Sequence, residues 1–239
     1  MKLLVSPKNS EEARAALLGG ADIIDVKNPA EGSLGANFPW VIREIIDLTS
    51  TFSGVETSAT IGDVPFLPGT VSLAALGLAG LGVDYVKVGL YGPDSRQKVE
   101  QILKGIVKTI REFHPSIKIV AAGYADYYRL GTSINPLEIA ELSAEIGCDV
   151  VMVDTGIKDS TSLLAHMKWQ DIKNFVKLAK DSGLEVALAG SLSMDDCIKL
   201  RDLEPDIFGV RSAVCENFDR ETGNIQADLV KTLKVSISS

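Results

Sequence analysis

Short runs of alternating aliphatic residues recur along the chain, separated by stretches of helical period. The run Asp22-Ile23-Ile24-Asp25-Val26-Lys27 sets the pattern. On a strand, residues of one parity share a face, so Ile24 and Val26 point one way while Asp25 and Lys27 point the other. The phrase returns. Gly20-Ala21-Asp22 is echoed by Gly82-Val83-Asp84, by Gly147-Cys148-Asp149 and, faintly, by Glu204-Pro205-Asp206. After each aspartate one parity is apolar (Ile24/Val26, Val86/Val88, Val151/Val153, Phe208/Val210). The other collects polarity, as Asp25/Lys27, Lys87/Gly89, Met152/Asp154 and Gly209/Arg211. The copies lie about sixty residues apart, the length of a (βα)2 unit, and four such units predict a (βα)8 TIM barrel. The apolar parity then packs on the helical ring and the polar parity looks into the barrel. Lys27, Lys87, Asp154 and Arg211 fall near the C-terminal mouth, where barrel enzymes carry their chemistry.

The remaining pattern predicts strands over 1–6, 22–27, 55–61, 85–89, 117–122, 150–154, 185–189 and 207–210. Helices are predicted over 10–18, 38–48, 71–81 with Thr70 as cap, 136–146, 169–181, 194–203 and 225–233. One more helix, capped by Asp94 or Ser95, is predicted to run to Phe113. Residues 28–37 form a long glycine-bearing loop without helical period, directly after the lysine strand, and such a loop is expected to cover the mouth. No linker or composition break divides the chain, so residues 1–239 are read as one catalytic domain.

Composition narrows the function. The formal net charge of −8 argues against nucleic acid or an anionic membrane as the main partner. An anionic metabolite is still admissible, because a local lysine cluster overrides the global field at short range. Three cysteines without metal-ligand spacing, and no signal peptide, read as cytoplasmic and reduced. The longest apolar run, from Val71 to Val83, is broken by glycines and too short to span a bilayer. His114 and His166 do not suggest a metal pair, and neither a Walker loop nor G-x-G-x-x-G is present, so no metal and no cofactor is expected. An exposed apolar helix face would serve a homo-oligomer, but periodicity does not say which face.

Candidate chemistry centres on the inward lysines. Burial disfavours an ammonium and lowers its pKa, which is what imine formation with an aldehyde or ketone requires. Lys27 and Lys87 share the barrel with Asp25 and Asp154, which are available for proton transfer. The competing reading is two structural Lys–Asp pairs filling the barrel. Lys158, four residues beyond Asp154, is by itself a solvated loop lysine. Gly190-Ser191 after the seventh strand and Arg211-Ser212 after the eighth stand where many barrels bind phosphate. Backbone N–H groups at a helix start attract the anion, and Arg211 is expected to grip it bidentately.

Longer blocks carry a resemblance. Asp22-Ile-Ile-Asp-Val-Lys-Asn-Pro29, Glu31-Gly-Ser-Leu-Gly-Ala-Asn-Phe-Pro-Trp40, Ile61-Gly-Asp-Val-Pro65 and Tyr85-Val-Lys-Val-Gly-Leu-Tyr-Gly92 closely resemble the (5-formylfuran-3-yl)methyl phosphate synthase family. Val120-Ala-Ala-Gly-Tyr-Ala-Asp126, Asp154-Thr155, Lys158-Asp159, Ala189-Gly190-Ser191 and Gly209-Val-Arg211 continue it over nearly the whole chain. The resemblance implies a cytoplasmic barrel lyase of methanofuran biosynthesis. Such an enzyme condenses two molecules of glyceraldehyde 3-phosphate to 4-(hydroxymethyl)-2-furancarboxaldehyde phosphate, with loss of one phosphate and water. It places the Schiff-base lysine on Lys27 and the proton-acceptor lysine on Lys87, with Asp25, Asp154 and Lys158 in matching active-site blocks. A generic class I aldolase or decarboxylase on a sugar phosphate shares the imine and differs in product. A non-catalytic sugar-phosphate sensor is the reading from another class.

Overall fold

In the computed structural model, which describes residues 1–220 and 222–238, eight parallel strands close into a barrel in sequence order. They are β1 (Lys2–Val5), β2 (Ile23–Val26), β3 (Glu56–Asp63), β4 (Tyr85–Gly89), β5 (Lys118–Tyr124), β6 (Val150–Asp154), β7 (Glu185–Leu188) and β8 (Ile207–Val210). β8 returns to pair with β1, with Lys2 opposite Ile207 and Val5 opposite Val210, so no strand edge is left open. The (βα)8 barrel expected from the sequence is the fold.

The two parities separate as the pattern requires. Ile24, Val26, Val86, Val88, Val151, Val153, Phe208 and Val210 join the core between strands and helices. Leu4, Ile23, Tyr85, Val120, Met152, Ala187 and Ile207 fill the barrel interior instead. The helices seal the outer face with apolar stripes. Arg96–Phe113, for example, buries Val99, Ile102, Leu103, Ile106 and Ile110, one side of a helix capped by Ser95. No helix among the described residues is long and apolar enough to cross a membrane.

The repeated aspartate has a structural cause. Asp22, Asp84, Asp149 and Asp206 sit at the base of the even strands, where each carboxylate accepts the backbone N–H of the preceding odd strand. The donors are Leu3, Thr57, Ile119 and Val186, at 2.6, 2.7, 2.7 and 2.8 Å. Each aspartate N–H returns a bond to the carbonyl of that same residue. The glycine two positions earlier is left-handed, with φ of +87°, +89° and +92° at Gly20, Gly82 and Gly147, and nothing crowds it. Conformation, not space, selects glycine there. In the faint copy Glu204 adopts the same region at +53°, so the fourth quarter is closed by the same clamp on a less suitable residue.

Several boundaries differ from those read in the sequence. The helix expected over 71–81 is Pro68–Ala79, because proline is tolerated in a first turn whose N–H has no partner. The last helix is Ala227–Ser238 rather than 225–233, since Ile225 is taken into a bridge with Cys215. Single-turn helices at Tyr127–Leu130 and Leu163–His166 are too short for periodicity to reveal.

Candidate active site

The loop after β2 folds over the mouth. Asn28 N–H bonds to Gly35 O, closing residues 28–35 into a compact turn. Its tip delivers Leu34, fully buried, into the interior apolar cluster. The Leu34 backbone is held at both ends, by Asp63 Oδ2 accepting its N–H at 3.2 Å and Thr60 Oγ1 donating to its carbonyl at 3.0 Å. Ser33 Oγ reaches across to Thr155 O at 2.7 Å. A cover over the mouth is what the long loop led one to expect. A cleft remains open between β1, β2 and the ends of β6, β7 and β8. Asp25, Lys27, Asp154, Lys158, Gly190, Ser191, Arg211 and Ser212 all line it, and Lys87 lies below, in the barrel interior.

In and just below this cleft three lysines meet two aspartates. Lys87 Nζ stands 2.6 Å from Asp25 Oδ2, both side chains almost wholly buried, and has no well-aligned hydrogen-bond acceptor among the described residues. Ser58 and Ser6 donate to the two oxygens of Asp25 at 2.8 and 3.1 Å. Lys158 Nζ stands 2.6 Å from Asp154 Oδ1, which also accepts Thr155 N–H at 2.7 Å. Lys27, buried at 6% exposure, is paired with no carboxylate within 4 Å among the described residues. Of the two Lys–Asp pairs the competing reading expected from Lys27 and Lys87, only Lys87–Asp25 forms; Asp154 is taken by Lys158, expected to be solvated, and Lys27 is left outside both pairs.

The electrostatics follow from this count. Burial drives the Lys27 ammonium down, Lys158 and Lys87 push the same way, and Asp154 and Asp25 resist; the outcome is a pKa of about 7. For Asp25 burial raises the pKa, but Lys87 and Lys27 outweigh it and hold the carboxyl below its usual range. Asp154 is likewise raised by burial and pulled well below that range by Lys158 and Lys27. Both aspartates are thus held as carboxylates at neutral pH. As carboxylates they set fixed negative charge beside the three lysines.

On the phosphate side Arg211 lines the cleft. Arg211 does make a bidentate grip, but on Glu12, at 2.7 and 3.1 Å, and it also donates to Ser6 O at 2.9 Å. Barrel closure brings the first turn of the helix Ser10–Leu18 against the end of β8, a pairing nearly 200 residues apart that periodicity cannot see. The Glu12 carboxyl, pushed up by burial, ends below its ordinary value because Arg211 and Lys8 outweigh that push. Arg211 is therefore a strut between β1 and β8, with its planar fork already used. Gly190 takes φ of +104° against Thr155, where an added Cβ would meet backbone N at 3.1 Å. Ser191 is itself left-handed at +47°. Among the described residues the backbone N–H groups of Gly190, Ser191 and Ser212 have no backbone acceptor, and all three residues line the cleft.

Sequence reasoning missed Ser6 and Ser58, the hydroxyls on Asp25, and Glu12, which neutralises Arg211. Ser6 and Ser58 share the inward parity of their strands, a signal that was legible. Arg220 was also missed; it lines both this cleft and a wider outer cavity bounded by Ser193, Met194, Ala213 and Phe218. Lys158, Ser191 and Ser212 belong to both cavities. Among the described residues no group of three or more His, Cys, Asp or Glu is placed to hold a metal ion.

Comparison with known proteins bears on this site. Residues 3–234 match the family model described as 4-HFC-P synthase. A (5-formylfuran-3-yl)methyl phosphate synthase of Archaeoglobus fulgidus is 56% identical over 237 residues, covering 99% of both chains. The one of Methanopyrus kandleri is 50% identical at the same coverage. Among solved structures, KGPDC from Streptococcus mutans superposes with a TM-score of 0.66 at 16% identity, covering 99% of this chain and 97% of that one. At that identity the structural likeness speaks to the barrel alone.

Proposed function

The chain belongs to the (5-formylfuran-3-yl)methyl phosphate synthase family of enzymes, and from that premise we propose that it condenses two molecules of glyceraldehyde 3-phosphate through an imine on Lys27. The observation that carries the reading is the excess lysine. Two of the three cations have a carboxylate each, while Lys27 is buried without one and holds a substantial fraction of free amine at neutral pH.

The chemistry runs as follows. The Lys27 amine adds to the triose aldehyde and water leaves, giving a cationic imine between Asp25 and Asp154, whose fixed negative charge favours it. That cation acidifies the neighbouring C–H. Lys87, beside Asp25, acts as the base in its neutral form: its ammonium proton first passes to the water released by imine formation, and the amine then takes the C–H proton, giving an enamine. The enamine expels phosphate from the next carbon or attacks the second aldehyde. Ring closure, dehydration and hydrolysis from Lys27 complete the furan. Overall two trioses yield 4-(hydroxymethyl)-2-furancarboxaldehyde phosphate, one inorganic phosphate and two waters, the phosphate ester serving methanofuran biosynthesis. The N–H groups of Gly190, Ser191 and Ser212 take a phosphate in place of the Arg211 fork. The second triose is assigned to the outer cavity, with Lys158 and Arg220 on the shared wall.

Intact mass and peptide mapping after incubation with glyceraldehyde 3-phosphate and borohydride test this. A reduced adduct on Lys27, with release of inorganic phosphate and a furan absorbance in the unreduced reaction, is expected. An adduct on Lys87 exchanges the two lysine roles. Protein that consumes substrate yet carries no adduct overturns covalent catalysis. An adduct without phosphate release makes the protein a simple aldolase.

A further inference from the structure

The distribution of charge in the cleft depends on one contact with no support from regular secondary structure. Lys158 reaches Asp154 from a loop, so nothing in a helix or a ladder fixes its backbone. What fixes it is Asp126, fully buried just beyond β5. Its two carboxylate oxygens accept the N–H groups of Gly156, at 2.6 Å, and Ile157, at 2.9 Å, the two residues directly before Lys158. Leu130, on the single-turn helix that follows Asp126, packs so closely on Gly156 that an added Cβ would lie 2.7 Å away. We propose that Asp126 is a positioning residue of the site, holding the Gly156–Ile157 backbone so that Lys158 stays on Asp154 and Asp154 is thereby kept from pairing with Lys27.

The consequence has a definite sign. The charged groups bearing on Lys27 are Asp25 just before it in the chain, Lys87 from β4, Asp154 from β6 and Lys158 from the loop after β6; Arg211, just beyond β8 and matched by Glu12, and Arg220 also line the cleft. Withdrawing Lys158 removes a like charge and frees a carboxylate. Both changes favour the Lys27 ammonium, so the amine is exposed only at higher pH. The proposal rests on Lys27 being the nucleophile, but its test needs no substrate.

Trace acetylation with acetic anhydride across pH, followed by peptide mapping, reads the free amine of Lys27 directly. Lys158→Met is expected to move the Lys27 curve to higher pH, and Asp126→Asn to move it the same way by a smaller step, with imine trapping weakened in parallel. In Asp126→Asn one oxygen still accepts an N–H while the new amide donor opposes the other. Arg129→Ala, which breaks the exposed Arg129–Asp159 pair at the far side of the same loop, is expected to leave the curve in place. An unmoved or lowered curve in Asp126→Asn or Lys158→Met overturns the proposal, even if activity falls. If the Asp126 variant does not fold, hydrogen exchange in the parent decides. Slow exchange at Gly156 and Ile157 upholds the anchor, and fast exchange there overturns it. Failure to trap an imine in a parent whose Lys27 titrates as expected would count against the proposed reaction and not against Asp126.

Discussion

The two ends of the barrel are built from the same residue types and do opposite things with them. At the base, the inward side chains of β1, β3, β4, β5 and β7 make a charged floor. Lys2 pairs with Glu56, Lys118 pairs with Glu185 at 2.5 Å, and Tyr85 hydroxyl bonds to Glu56 at 3.0 Å. Cations and carboxylates there match one for one, and each is about a third exposed. Tyr85 fits the same economy of charge: burial first, then Glu56, raises its phenol well beyond ordinary titration. At the mouth, Lys87–Asp25 is almost fully enclosed, Lys158–Asp154 nearly so, and a third lysine has no carboxylate of its own. The inward pairs of the base are matched and part-exposed; those at the mouth are buried, with three lysines against two aspartates. A Lys–carboxylate pair inside a barrel is therefore no sign of catalysis. What sets the mouth apart is the surplus lysine, on which the proposed reaction is built.

The sharpest way to break this contrast is Lys27→Met. Turnover is expected to fall at least about a thousandfold, as when a covalent nucleophile is removed, and no borohydride adduct should form. Stability should move the other way. In the parent, the folded-state pKa of Lys27 lies near 7, below its unfolded value, so the unfolded chain binds more protons between the two. Stability should then rise with pH from about 7 toward the ordinary lysine value, at up to roughly 1.4 kcal/mol per pH unit. Lys27→Met should lose that slope in a series of denaturant titrations. A slope that persists would mean the amine is not depressed.

Next in size is Asp25→Asn, which strands the Lys87 ammonium inside the barrel. Breaking one side of a buried pair costs about 3–5 kcal/mol, and the double variant with Lys87→Met should recover part of it. Chemical denaturation measures both, and a loss under about 1 kcal/mol would show that water reaches the pair. At the base, Glu56→Gln should cost only about 0–1 kcal/mol, as expected of a part-exposed pair, and leave kcat/KM within about twofold. An equally large effect at both ends would erase the distinction. The smallest change is Glu204→Gly, which relieves a left-handed non-glycine residue in the fourth clamp and should stabilise by up to about 1 kcal/mol.

Much of this was legible along the chain. Strand parity alone placed Asp25, Lys27, Lys87 and Asp154 on the inner face, and the structure brings all four together at the mouth. The glycine–aspartate phrase marked the quarter-barrels, although its cause, a carboxylate closing each strand pair from below, is invisible until the odd strand lies alongside. Arg211 shows the limit. Its position by β8 suggested an anion site, but the anion it holds is Glu12, from the other end of the chain.

Local periodicity therefore determined the barrel, the facing of its strands and the set of charged groups inside, because those depend on residues a few positions apart. Which cation pairs with which carboxylate was decided only by tertiary structure. Pairing depends on distances of a few ångströms between strands that closure brings together from remote parts of the chain. The identity of the lysine left over, on which the proposed chemistry rests, is a property of that closed geometry.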